Sequence, residues 1–280
     1  MMISIIGLGL IGASFAKAIK VKTDHKIAGF DINIDVLNSA IDDRAIDFIG
    51  NDELLSQSDM VIVSLYPSAT IDFVKQNAGK FKSGAIVIDT CGIKSEICKE
   101  LTAVSTQNGF IFIGAHPMAG REFSGIDRSL STLFDRATCV VVPVKADIFT
   151  LERVRDLFLT VGFSEAVFST AYRHDEIIAF TSQLCHIVSN AFIKSPLASS
   201  HFGFSAGSYR DLTRVARLNP NMWTELMMDN RDLLKSELDG LIARLSEYSK
   251  ALGEGDEQRL FDLLKEGSDL KISIDKGKVR

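Results

Sequence analysis

Three groups of residues in this chain have types and spacings that chemistry could use. The first is Gly7-Leu8-Gly9-Leu10-Ile11-Gly12, set between the apolar run Met2 to Ile6 and a helix-like segment, Ala13 to Ile19. Gly7 permits a tight turn off a strand, Gly9 has no side chain to keep a pyrophosphate from the backbone, and Gly12 lets a helix pack closely on the strand. Phosphates then meet the positive N-terminal end of that helix and its unpaired N–H groups. Asp31, nineteen residues beyond Gly12, ends a second apolar run where a carboxylate can accept hydrogen bonds from ribose hydroxyls. A carboxylate repels a 2′-phosphate, and Ile32-Asn33-Ile34 supplies no cation to receive one. The expected cofactor is therefore NAD, held by Gly7, Gly9, Leu10, Ile11, Gly12 and Asp31.

The second group is Gly114-Ala115-His116-Pro117-Met118-Ala119-Gly120, which follows the apolar run Phe110 to Ile113. His116 is the first choice for a proton acceptor. It follows a strand, precedes a stiffening proline, and carries a ring that is neutral near physiological pH. The third group lies on helices of the second half. Asp175, Ser182 and His186 are seven and four apart, which places them on one helical face, either as satisfied buried polar groups or as a substrate pocket. Arg210, Arg214 and Arg217 also share a face, which is either a solvated side or a fork for a carboxylate. A metal site of His116, His174 and His186 lacks any ligand spacing to support it, and none is expected.

The elements that must position these groups follow from the hydrophobic pattern. Strands and helices alternate through the first half, which predicts a mostly parallel sheet covered on both faces, a Rossmann-type α/β domain over residues 1–165. Strands are expected over Met60 to Ser64, Ala85 to Asp89, Phe110 to Ile113 and Thr138 to Pro143. Ligands in such sheets sit outside the C-terminal strand edge, so Ser64 and Pro67 are expected beside the cofactor, with Ser68 as the N-cap of the next helix. Lys94 falls on the same edge, either holding an anion or capping a surface turn. From Thr170 onward 3.6-residue periods dominate, so residues 166–280 are expected to form an all-α domain. Its longest helix is expected to run unbroken from Pro220 to Leu252, roughly 45 Å, and to need a second subunit as cover. Ser208 is expected as an N-cap, and Asp275 to Arg280 as a solvated tail.

Composition narrows the classes. A formal charge of -5 gives no basic footprint for nucleic acid. No window reaches the eighteen or so apolar residues of a membrane span, and the N-terminus makes a poor signal peptide, so the cytoplasm is expected. Cys91, Cys98, Cys139 and Cys185 form no C-x-x-C pair and read as reduced thiols.

Several motifs in order, the glycine motif with its acidic second strand, Gly114 to Gly120, Ser182-x-x-x-His186, and Gly207-Ser-Tyr-Arg-Asp-Leu-Thr-Arg214 with Trp223 nine residues on, resemble prephenate dehydrogenase and its arogenate dehydrogenase kin. The resemblance spans almost the whole chain. It implies oxidative decarboxylation of prephenate to 4-hydroxyphenylpyruvate with NAD taking the hydride, or the same step on arogenate to give tyrosine. It also implies a Rossmann domain followed by a helical domain that forms a homodimer. His116 matches the histidine that bonds the substrate's ring hydroxyl, Arg214 the arginine on a substrate carboxylate, and Ser182, His186 and Trp223 pocket residues. One departure stands out. Where the family commonly has Asp-x-Gly-Ser-x-Lys, this chain reads Asp89-Thr-Cys-Gly92-Ile-Lys94, so the serine that often partners the histidine is absent, and either a water or another hydroxyl such as Ser64 orients the ring or the base is held more loosely. No fused mutase or regulatory domain is expected within these residues. A β-hydroxyacid dehydrogenase would use a helix-borne lysine that Thr170 to Ile193 lacks, and a non-catalytic NAD sensor would leave His116 and Arg214 idle.

Overall fold

The computed structural model describes residues 1–121 and 123–277. The alternation expected from sequence is present as β1 (Met2–Ile6), α1 (Leu10–Lys22), β2 (Lys26–Phe30), α2 (Ile34–Asp42), β3 (Phe48–Ile49), α3 (Asp52–Gln57), β4 (Met60–Val63), α4 (Pro67–Asn77), β5 (Ile86–Asp89), α5 (Ser95–Asn108), β6 (Ile111–Pro117), β7 (Thr138–Val142), α6 (Ile148–Val161) and β8 (Glu165–Phe168). The eight strands form one sheet in the order β3-β2-β1-β4-β5-β6-β7-β8. All neighbours are parallel except β6 and β7. β3 and β8 were not expected: one is two residues long and the other largely exposed, so neither carries a strong apolar run.

Strand residues alternate between two cores, one on each face of the sheet. Ile3, Ile5, Ile62, Ile86 and Ile88 join Phe15, Phe134, Phe158 and Phe163 on one side. Ile6, Val61, Val63 and Val87 join Val74, Leu101 and Phe112 on the other. Each such buried side chain contributes roughly 1.5–3 kcal/mol, and the two-sided burial holds the strand ends still.

Strand order reverses between β1 and β4, and the loops after these two strands open side by side. Gly7 N donates to Phe30 O (2.7 Å) and Ser64 N to Ile6 O (2.8 Å), so the glycine turn, the end of β2 and the loop after β4 converge on one crevice. Asp89 of β5 pairs in register with Gly114 of β6, so β6 runs on for three residues past its parallel neighbour, supported there by antiparallel β7. His116 sits on that extension, opposite Val140.

Helices follow β8: α7 (Ala171–Ile178), a π-helical segment Ala179–Leu184, α8 (Cys185–Phe192), α9 (Gly207–Thr213), α10 (Pro220–Asp229), α11 (Arg231–Glu254) and α12 (Glu257–Gly277). The unbroken helix expected from Pro220 to Leu252 is interrupted at Asn230 (φ −113°, ψ 23°). Its buried amide nitrogen donates to Asp175 O (2.9 Å) and Gln183 Oε1 (2.7 Å), and these tertiary bonds replace helical continuity. Gly255, with φ +66°, marks the turn before α12. Of the expected tail, Asp275 to Gly277 are the last turn of α12, and 278–280 lie outside the described residues.

By compactness the chain divides into two units, Met1–Arg231 and Asp232–Arg280. The first contains the sheet and the helices through α10. In the second, α11 and α12 contact one another through Tyr248 Oη donating to Leu263 O (3.1 Å) and the Arg259–Glu247 ion pair, with Ala251 and Leu263 buried.

Candidate active site

The glycine loop has the shape a dinucleotide needs. Gly7 has φ +85°, a conformation L side chains rarely adopt. A Cβ on Gly12 would lie 1.9 Å from Gly7 O, so only glycine lets α1 approach β1 here. A Cβ on Gly9 would meet nothing within 4 Å, which leaves open space at the N-terminus of α1, where no side chain caps the helix. Asp31 fixes this loop: Oδ2 accepts from Leu8 N and Oδ1 from Asn33 N, both at 2.9 Å. Leu10 and Ile11 form the first turn of α1, half-buried. These residues fit a dinucleotide pyrophosphate and ribose.

Ser64 lies just past β4, and its hydroxyl accepts from Thr90 Oγ1 (3.1 Å). Pro67 is buried at the first position of α4, so Tyr66 takes the N-cap position expected for Ser68. Ser68 instead reaches Glu225 on α10, donating from both its N–H (2.7 Å) and its hydroxyl (2.5 Å). Ser208 is likewise inside its helix, with Ala206 at the N-cap position of α9.

His116 is half-buried, and its Nδ1 lies 2.9 Å from His174 Nε2. His174 Nδ1 lies 2.7 Å from Asp175 Oδ1. Asp175 accepts from Lys94 N (2.8 Å) and Ser95 N (2.7 Å) as well, so it also caps α5. Burial pushes the His116 pKa well below the ordinary histidine value, helped by His174 and Lys94 and opposed by Asp175. Burial also acts to raise Asp175, but hydrogen bonds from His174 and Ser95 outweigh it and hold the carboxyl below the usual range. Ser64 thus does not orient the imidazole; His174 occupies its Nδ1. A Cβ on Gly92 would lie 3.9 Å from His116 Nε2 and 3.4 Å from Leu226 on α10, so the missing serine leaves room beside the free ring nitrogen.

Lys94 neither caps a surface turn nor reaches a ligand. It is wholly buried and ion-paired with Asp89, also wholly buried. Asp89 further accepts from Cys91 N (2.9 Å) and Ala115 N (3.3 Å), tying the end of β5 to β6 just before His116. Burial works to lower the Lys94 pKa, but the Asp89 charge wins and holds it above the ordinary lysine value.

The expected single face of Asp175, Ser182 and His186 is not there, because the π-helical segment Ala179–Leu184 rotates the helix between them. Asp175 turns to α5, while His186 Nδ1 donates to Ser182 O (2.9 Å) and stacks against Trp223 at 3.9 Å. Burial lowers the His186 pKa, the Arg214 charge adds to this, and Ser182 O opposes it. Arg214 follows the last residue of α9, with Arg210 and Arg217 also exposed. A cleft of about 290 Å³ is lined by His186, Asn190, Lys194, Trp223 and Met227 among others, and neither His116 nor Arg214 lines it. α10 links the two places: Trp223 is in the cleft, and Leu226, next to Gly92, is three residues on. His116 and His174 meet, but His186 turns to Ser182 O and Trp223 instead, and no metal-binding cluster exists among the described residues. Sequence reasoning passed over Asn230, Gln183 and Glu225; the adjacent His174-Asp175 pair at the start of an apolar helix was the one signal available for the contact on His116.

A parallel sheet with a glycine turn at its reversal point, an acid after β2 and a histidine on the same edge defines a Rossmann-fold, dinucleotide-dependent oxidoreductase. Two families match in sequence: "Prephenate dehydrogenase, nucleotide-binding domain" over residues 15–165 and "Prephenate dehydrogenase, dimerization domain" over residues 170–266. The chain belongs to the prephenate dehydrogenase family, and its cofactor is NAD. It is 28% identical to a cyclohexadienyl dehydrogenase of Zymomonas mobilis, over 97% of this chain and 95% of that one. It is 27% identical to a prephenate dehydrogenase of Bacillus subtilis, over 97% of this chain and 76% of that one. Among solved structures, A. aeolicus prephenate dehydrogenase in complex with hydroxyphenyl propionate and NAD+ superposes with a TM-score of 0.86 at 25% identity, covering 98% of each chain.

Proposed function

We propose that the enzyme converts prephenate to 4-hydroxyphenylpyruvate, with His116 as the base. The observation that carries this is a neutral imidazole, its pKa driven down by burial, fixed on the C-terminal extension of β6 at the edge where the glycine loop opens. Bound NAD supplies the hydride acceptor. His116 takes the proton of the ring hydroxyl as the carbon beneath it becomes a carbonyl. Loss of CO2 from the opposite ring carbon sends its bonding pair through the ring to that oxygen and restores aromaticity; the phenolate so formed takes the proton back from His116, and the rest of the protein's work is positioning. Arg214 binds a substrate carboxylate, with Ser182, His186 and Trp223 shaping the pocket; the effect of the Arg214 charge on His186 supports this grouping. Gly7, Gly9, Leu10, Ile11, Gly12, Asp31, Ser64 and Pro67 hold NAD.

The names of the two relatives differ, which favours testing arogenate beside prephenate. Following NADH absorbance with each substrate decides: turnover of prephenate supports the proposal, preference for arogenate moves it to that substrate, and turnover of neither removes it. We further propose a nucleotide-binding domain over residues 1–165 and a helical domain over 166–280 through which two chains form a homodimer. Ile242, Leu245, Leu252, Phe261 and Leu264 are each more than half exposed on α11 and α12, and a second copy would cover them. Unpaired Cys91, Cys98, Cys139 and Cys185 suit a reducing compartment, the cytoplasm; no helix among the described residues is long and apolar enough to cross a membrane.

A further inference from the structure

We propose that His174 and Asp175 are positioning residues for His116, fixing its ring proton on Nδ1 so that Nε2 is bare and faces the reacting hydroxyl. The proposal rests on the reading of His116 as the base. It follows from counting donors and acceptors along the chain of contacts. Asp175 is an ionised carboxylate that accepts from Lys94 N and Ser95 N, so it has no proton to give and His174 Nδ1 must donate to it. With a single ring proton, held on Nδ1 by Asp175, His174 turns a bare Nε2 to His116 Nδ1 at 2.9 Å. His116 Nδ1 must therefore carry the hydrogen. Its Nε2 is the acceptor, on the side where Gly92 leaves room.

The same chain gives the abstracted proton's charge somewhere to go. When the substrate O–H bond breaks and the Nε2–H bond forms, His116 becomes a cation in a place where burial and Lys94 both oppose one. Moving the Nδ1 proton across to His174 Nε2 returns His116 to neutrality and puts the positive charge beside Asp175. Loss of CO2 then leaves a phenolate at the same oxygen, which takes the Nε2 proton back as the Nδ1 proton returns from His174, so both rings regain their starting state and no net proton is released. The other groups near His116 do not compete. Asp89 and Lys94, from β5 and the loop after it, are ion-paired with each other, and neither hydrogen-bonds the His116 ring. Burial pushes the Cys139 thiol on β7 up to about 12, so it stays protonated. From α10, Leu226 packs beside Gly92, and the charge that bears on the chain of contacts, Asp229, acts on Asp175 and not on His116.

The test uses the NAD-bound enzyme with ¹⁵N-labelled histidine. Spectra should assign the neutral His116 ring as the Nδ1–H tautomer. His174→Leu should lose that preference and lower kcat by about 10- to 100-fold, with KM for both substrates within about 2-fold. His174→Gln, which can present an amide oxygen where Nε2 was, should recover to within about 5-fold of wild type and restore the tautomer. Asp175→Ala removes the acceptor of His174 Nδ1, so the Nδ1–H preference at His116 should weaken and kcat should fall by about 10- to 100-fold. Because Asp175 also caps α5, that variant is judged by its ¹⁵N spectrum as well as its rate. An Nε2–H tautomer in the wild-type enzyme, or His174→Leu with wild-type kcat and pH profile, overturns the proposal. An Nδ1–H tautomer in an enzyme that oxidises neither prephenate nor arogenate leaves the hydrogen-bond chain standing, but removes the reaction and with it the positioning role.

Discussion

Glu225 on α10 accepts two hydrogen bonds from one residue, Ser68, through the backbone N–H at 2.7 Å and the hydroxyl at 2.5 Å. The contact places a carboxylate at the positive end of α4 and satisfies one of its unpaired N–H groups. It also fixes the chain immediately after Ser64 and Pro67, the loop assigned to the cofactor. Glu225→Ala should therefore raise the Kd for NAD about 3- to 10-fold, the loss expected for a charge-assisted hydrogen bond near the surface. Calorimetric titration with NAD checks this, and an unchanged Kd would separate the α10 contact from cofactor binding.

The base itself should answer to pH in a defined direction. Only neutral His116 accepts a proton, and burial holds its pKa well below 6.5. Activity should thus stay level as pH falls through 6.5 and decline only as pH passes through the lowered value. A log kcat/KM profile with an acid limb at or above 6.5 would contradict this. His116→Asn should lower kcat by about 10² to 10⁴ with little change in KM.

Arg214→Ala should show the opposite split, a loss concentrated in KM. Truncating one side of a charged hydrogen bond to substrate costs about 2–5 kcal/mol. Steady-state kinetics on the variant decides, and a wild-type KM would place the Arg214 guanidinium outside the pocket.

Lys94 and Asp89 bear on stability. Both are wholly inaccessible, so Lys94→Met strands a carboxylate among apolar neighbours and should destabilise the fold by about 3–5 kcal/mol, read from denaturant unfolding. Activity should fall too, since Asp89 holds the segment leading to His116.

The glycines should separate fold from binding. Gly9→Ala meets open space and should leave the melting temperature unchanged while weakening NAD. Gly12→Ala puts a methyl group against the Gly7 carbonyl and should lower both. Paired thermal melts and NAD titrations distinguish them, and equal melting temperatures for the two variants would refute the packing account.

Local pattern made much of this protein legible. Glycine spacing, the acid nineteen residues on, and strand–helix alternation are short-range features, because backbone conformation and side-chain period are set within a few residues. His116 was legible for the same reason, lying at the end of an apolar run beside a proline. What touches it was not. His174 is fifty-eight residues away, and its approach depends on Asp175 reaching back to the start of α5. Lys94, undecided between surface and ligand from sequence, is buried because Asp89 lies within reach of its ammonium, a proximity no periodicity encodes. The single face expected of Asp175, Ser182 and His186 assumed one uniform helix. The extra residue per turn in the π-helical segment, like the break at Asn230, shows only once the groups that satisfy those backbone and side-chain atoms are brought together by folding.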